Sequence, residues 1–210
     1  MNKQHLKTIN SKYQHSLREK GSKFLSFLFP CTNTDFFSEE LSKIRAKYPD
    51  ATHHCSAYRI DPEHILEFSA DDGEPSGTAG LPILNQLRSL DVVNAGLVIV
   101  RYFGGTKLGK SGLIETYGLS ARECLELADL QTIVPARIFE LCYPYPEENR
   151  INKLKQAYKL REKSADYKAD ITLQVYCPEE NAAAFEKELN SLEHLSVYHF
   201  KEDKLTFIPG

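Results

Sequence analysis

The chain has 210 residues, a net charge of −3, 41% hydrophobic and 26% charged residues, a globular balance that excludes disorder and collagen-like repeats. Its longest apolar run (95–100) contains a glycine and is far too short to span a bilayer. The polar, lysine-dotted start (1–11) lacks the apolar core of a signal peptide.

In chain order, a strand is expected over 5–17 and a second over 24–29, where side chains alternate. Phe37, Leu41, Ile44 and Tyr48 recur at helical spacing, with Thr34 or Asp35 as cap and Pro49 as stop. Residues 53–60 and 65–69 read as a hairpin turning at Asp61-Pro62. DDGEPSGTAG (71–80) is a loop, with Ser76 or Thr78 capping a short helix over 81–90. A buried strand (96–103), a glycine loop (104–112) and a helix (113–128) follow; the helix buries Leu113, Tyr117, Ala121, Cys124 and Ala128.

A junction is expected at 129–135, after which the pattern restarts on a smaller scale. Strand 138–143 ends at Pro144 and Pro146, and a helix runs from 147 to about 161. A short strand includes Tyr167. Alternation over 171–177 gives another strand, Pro178 opens a helix through Leu189, and 195–200 closes as a strand. The order strand–helix–strand–strand–helix–strand is the ferredoxin-like split βαβ arrangement. The expected fold class is α+β in two domains, 1–130 and 131–210.

Five cysteines (31, 55, 124, 142, 177) form no CxxC pair, and their odd number argues against a disulfide framework and for a reducing cytoplasm. Charge is uneven. Six Lys/Arg face Glu19 alone over 3–23, and seven face Glu162 and Asp166 over 150–168; six carboxylates and no Lys or Arg occupy 61–74. Such runs are solvated faces or partner surfaces.

Gly104 to Ser111 matches GxxxxGK[ST] and lies between a strand and a helix. Nucleotide hydrolysis there also needs a parallel sheet and a second strand ending in Asp, and neither is legible. A loop of backbone N–H groups that holds an anion is the simpler reading. His53-His54-Cys55 contains metal-capable side chains, yet adjacent histidines on a strand point to opposite faces; the alternative is a hydrogen-bonded His54 and a packed Cys55. Asp71, Asp72 and Glu74 are clustered carboxylates suited to acid–base work, or acids near the positive end of the next helix.

His53-His54-Cys55, DDGEPSGTAG (71–80) and VIVRYFGGTKLGKSGLIETYG (98–118), in this order and spacing, resemble the signature of the IMPACT family in its YigZ-like bacterial branch. The resemblance covers the whole chain. It implies that 1–130 share a fold with a small-subunit ribosomal protein domain and with elongation factor G, and that 131–210 resemble the last domain of that factor. Eukaryotic members regulate translation by competing for the activator of an amino-acid-starvation kinase, helped by an N-terminal RWD domain without counterpart in this sequence. Bacterial relatives are translation-associated, with peptidase activity suggested for some. Relatives often have other residues at Lys110-Ser111, which supports reading the nucleotide-loop match as coincidence.

The expectation is a cytoplasmic, non-catalytic protein that binds RNA or a ribosome-associated protein, with no metal, cofactor or membrane contact. Arg101, Lys107 and Lys110, with the backbone of Gly104, Gly105 and Gly109, would hold a phosphate. Of Tyr102 and Phe103 at most one would be a stacking platform. His54, Asp71, Asp72 and Glu74 would line a cleft or partner loop, and 150–168 would make a second contact. The competing class is a hydrolase: a nucleotide hydrolase at the glycine loop, or a metal-dependent peptidase using His54 and the DDGE acids.

Overall fold

The computed structural model describes residues 6–202 and 205–209. They form two compact units, Met1–Thr132 and Ile133–Gly210. The first unit contains β1 (Lys7–Thr8), β2 (Tyr13–Glu19), β3 (Ser22–Pro30), α1 (Thr34–Lys47), β4 (His53–Ile60), β5 (Leu66–Ala70), α2 (Gly80–Ser89), β6 (Ala95–Tyr102) and α3 (Gly109–Glu126). The strand expected over 5–17 is thus two strands, β1 and β2, and His5 lies outside the described residues.

The main sheet has the order β2-β3-β6-β4-β5, and every neighbouring pair is antiparallel. Alternation sorts its side chains onto two buried faces. Phe24 and Leu28, Leu97 and Ile99, Cys55 and Ala57 share one face, packed by Ile83 and Leu87 of α2 and by Leu113, Tyr117 and Ala121 of α3. Phe27, Phe29, Tyr58, Val98 and Val100 face the other side, covered by Phe37 and Ile44 of α1. Burial on both faces explains the nearly unbroken apolar runs of β3 and β6.

Helix ends depart from the sequence expectation. Asn33, rather than Thr34 or Asp35, caps α1, its Oδ1 accepting from Phe36 N at 2.8 Å. Helix α3 begins at Gly109, so Lys110 and Ser111 lie in its first turn and not in a loop running to residue 112.

Strand β7 (Gln131–Tyr143) is one continuous 13-residue element, so the junction expected at 129–135 is largely strand, and the boundary between the units falls inside it. Its first residues pair with β1, Thr132 opposite Lys7. In the second unit follow α4 (Glu148–Ala157), β8 (Arg161–Tyr167), β9 (Ile171–Pro178), α5 (Glu179–Asn190), β10 (Tyr198–Lys201) and β11 (Thr206–Pro209). Helix α4 ends before Arg161, which starts a strand, and β11 has no counterpart in the sequence reading. Antiparallel pairing of β10 and β11 with β7, β7 with β9, and β9 with β8 makes the split βαβ sheet. Phe139, Leu141, Val175, Ile151 and Phe185 fill its core.

Candidate anion-binding loop and the buried cluster beneath it

Strand register assembles the site in the first unit. Arg101 on β6 stands opposite Phe24 on β3 and His53 on β4, all on the face that carries α3. Glu74, from the DDGE loop, is buried against this row. Arg101 Nη1 donates to Glu74 Oε1 at 2.5 Å, the Tyr117 hydroxyl donates to the same oxygen at 2.9 Å, and His53 Nε2 lies 3.8 Å away. The Cys55 thiol lies 3.2 Å from the Tyr117 hydroxyl and 3.0 Å from the Asp71 carbonyl oxygen. Burial pushes the Cys55 thiol and the Tyr117 phenol well up from their ordinary values. A thiol held protonated in this way is an inert packing group, not a nucleophile.

Arg101, expected to hold an anion, instead points inward and is only 4% exposed. Its charge is matched by Glu74, its Nη2 lies 3.3 Å from Ser22 Oγ, and its guanidinium sits 5.4 Å from the Phe24 ring and 5.6 Å from the Phe103 ring. Ser22 Oγ also accepts from Gly104 N at 3.2 Å. Arg101 therefore supports the glycine loop from below.

The DDGE acids have separate tasks. Asp71 accepts from Gly77, Ala79 and Gly80 N at 2.8, 3.0 and 2.8 Å. It closes its own loop and caps α2, whereas Thr78 spends its hydroxyl on the Pro75 carbonyl. Burial pushes the Asp71 carboxyl up, but the three N–H donors outweigh this and hold it below its ordinary value. Asp72 accepts from His54 N and Arg45 Nη2, each at 2.7 Å. His54 turns to the α1 side, its Nε2 3.1 Å from the Tyr48 carbonyl. Its Nδ1 lies 3.7 Å from Asp72 Oδ2, whereas Asp71 and Glu74 are directed elsewhere, so of the expected peptidase set only the His54–Asp72 pair comes together. Among the described residues no three His, Cys, Asp or Glu side chains are grouped to hold a metal. His53, Tyr117 and Ser22 complete the cluster. The sequence offers His53 only within the metal-capable His53-His54-Cys55 string and Tyr117 only as a core residue of the helix. The alternation that His53 shares with Cys55 is the signal that places it on this face.

Above the cluster, Gly104 sits against the β2–β3 turn: a Cβ there would lie 1.9 Å from Gly21 C and 2.2 Å from Ser22 N. Gly105 and Gly109 have φ of +87° and +74° with open space around them, the left-handed conformation that favours glycine. No side chain caps α3 and no acid lies in its first turn, so its first N–H groups remain available. Lys107, Gly109, Lys110 and Ser111 are exposed, and neither lysine pairs with a carboxylate among the described residues. The packing of Gly104 brings the Lys20–Gly21 turn alongside.

Phe103 is 46% exposed beside this loop, while Tyr102 lies on the α1 side with its hydroxyl 3.1 Å from Asp50 Oδ1. In the second unit Arg150, Lys155 and Lys168 are matched by Glu147, Glu162 and Asp166, which offsets much of the basic run over 150–168.

Residues 20–125 match the Impact N-terminal domain family, and residues 143–192 match a domain of unknown function, DUF1949. The chain is 32% identical to IMPACT family member YvyE of Bacillus subtilis (strain 168), over 96% of this chain and 92% of that protein. It is 34% identical to IMPACT family member YigZ of Escherichia coli (strain K12), over 81% of this chain and 84% of that protein. A crystal structure described only as that of a hypothetical protein overlays with a TM-score of 0.67 at 28% identity, covering 95% of this chain and 98% of the other.

Proposed function

The chain belongs to the IMPACT family, and from that membership we propose that it is a translation-associated binding protein whose glycine loop takes a phosphate of RNA. The observation that carries this reading is the uncapped, acid-free start of α3 beside exposed Lys107 and Lys110. The N–H groups of the first turn and the helix dipole favour an anion there. Gly105 and Gly109 let the backbone approach it closely, the two lysines neutralise it, and Lys20 adds charge from the adjoining turn. Phe103 offers one ring face for a base. Arg101 and Glu74 position the loop without touching the ligand. Five free cysteines support a reducing, cytoplasmic setting.

The test is binding of a mixed-sequence single-stranded oligoribonucleotide at several salt concentrations. Lys107→Ala should lower the salt slope by about one contact and weaken all sequences alike. Phe103→Ala should cost about 1–3 kcal/mol with little change in slope. Absence of binding at low salt, or an unchanged slope in Lys107→Ala, would shift the reading to a ribosome-associated protein partner.

A further inference from the structure

On the α1 side of the first sheet, Gln14, Ser16 and Arg18 of β2 alternate outward and all are exposed, while Phe27 beside them on β3 is buried. Between this uncovered edge and the flank of α1 lies a cavity of about 230 Å³. Phe27, Phe29 and Ile44 line its floor, and Lys12, Lys43 and Lys47 line its rim. The volume falls below the roughly 300–1,000 Å³ of pockets that enclose whole small molecules. It has room for one large side chain of a bigger partner.

Charge indicates the partner. Glu40 is the acid of the groove; it is buried, and both Lys12 and Lys43 donate to it. Burial alone would push its carboxyl up, but the two ammonium groups hold it below its ordinary value, so it stays ionised. Lys43 is also shared with Glu39 at 2.8 Å. Lys47 has no carboxylate partner among the described residues; its Nζ stands 5.4 Å over the Tyr48 ring. Arg18, further along the same strip, also lacks a carboxylate among the described residues. The groove therefore combines an apolar floor with unspent positive charge.

We propose that this groove docks an acidic segment of a protein partner, anchored by one aromatic or aliphatic side chain on the Phe27–Ile44 floor, with flanking carboxylates meeting Lys47 and Arg18. A phosphate backbone calls for a continuous basic track. Here the unspent charge is Lys47 on the rim of a single apolar cavity, with Arg18 further along β2, the arrangement of an anchor pocket with a charged flank. The surface is separate from the glycine loop, and the proposal does not depend on RNA binding there.

The experiment is selection of random short peptides displayed on phage against the immobilised full-length protein, followed by synthesis of the enriched sequences. The enriched peptides should carry Asp and Glu around a Phe, Leu or Trp. Their affinity should fall about tenfold in Lys47→Glu and comparably in Gln14→Trp, which fills the groove mouth, while Lys107→Ala leaves it unchanged. Both altered positions are exposed, and thermal melts check that each variant is folded. No enrichment, enriched peptides without acids, or affinity insensitive to both groove variants would overturn the proposal. So would oligoribonucleotide binding lost in Lys47→Glu, which assigns the groove to nucleic acid. Self-association abolished by the same change would assign it to a second copy of the chain.

Discussion

Gly104 and Gly21 meet backbone to backbone, so closely that a methyl group on Gly104 would lie 1.9 Å from the Gly21 carbonyl carbon. The glycine loop after β6 is thereby clamped to the β2–β3 turn. Gly104→Ala must push the two segments apart and should destabilise the fold by about 1–3 kcal/mol or more. Gly105→Ala meets no neighbour and should cost only the left-handed backbone conformation, about 1–2 kcal/mol. Urea denaturation of both variants measures this, and a Gly104→Ala protein as stable as the wild type would refute the clamp.

Arg101 and Glu74 form a buried pair, their side chains 5% and 4% exposed. Removing one partner leaves the other charge buried, so Arg101→Met or Glu74→Leu alone should cost about 3–5 kcal/mol. The double variant should lose clearly less than the sum, because no orphaned charge remains. Strict additivity in a denaturation cycle would show that the two groups do not depend on each other.

Asp71 confers a pH dependence of known sign. Its folded-state pKa lies below the ordinary value of 3.8, so the carboxylate contributes stability above that pH. The contribution disappears as pH falls through the folded-state pKa. Asp71→Asn should therefore cost about 1.5–3 kcal/mol at neutral pH. Its deficit relative to wild type should shrink below about pH 4. Melting temperatures of both proteins between neutral pH and acid give the comparison.

Cys142 is exposed, whereas Cys31, Cys55, Cys124 and Cys177 are buried. Burial raises the buried thiols, Cys124 and Cys177 to about 12. A thiol reagent applied to the folded protein should label one site quickly, and Cys142→Ser should abolish that phase. Rapid labelling at Cys55 would contradict the protonated, hydrogen-bonded state described for it.

The GxxxxGK[ST] string should support no ATP hydrolysis. Its flanking strand β6 lies between antiparallel neighbours, not in the parallel sheet such loops require. Turnover with magnesium should stay at background in wild type and Lys110→Ala alike, and a rate abolished by that substitution would reverse the conclusion.

Much of the architecture was legible in particular residues. The four-and-three spacing of Phe37, Leu41, Ile44 and Tyr48 marked α1, and the alternation of Ile171, Leu173, Val175 and Cys177 marked β9. The restart after residue 135 gave the split βαβ order, though the strand that carries it begins earlier, at Gln131. A β-branched and apolar run shows strand character locally, but its ends depend on partners: residues 131–136 extend the strand by pairing with β1, β11 and, at Ala136, β9.

By itself the sequence determined which residues share a face of each element, because that follows from a period of two or 3.6. It also determined the family, since three motifs at fixed spacing rarely coincide. Only the tertiary structure decided which faces meet. The register that sets His53 opposite Arg101 and the contact of Gly21 with Gly104 each join residues distant along the chain, and the reach of Asp71 to the N-terminus of α2 depends on how the intervening loop closes. Period is a property of one segment, whereas register arises from the whole sheet closing around a common core. That is why Arg101 reads in sequence as a free cation beside a phosphate loop and stands in the fold as the buried partner of Glu74.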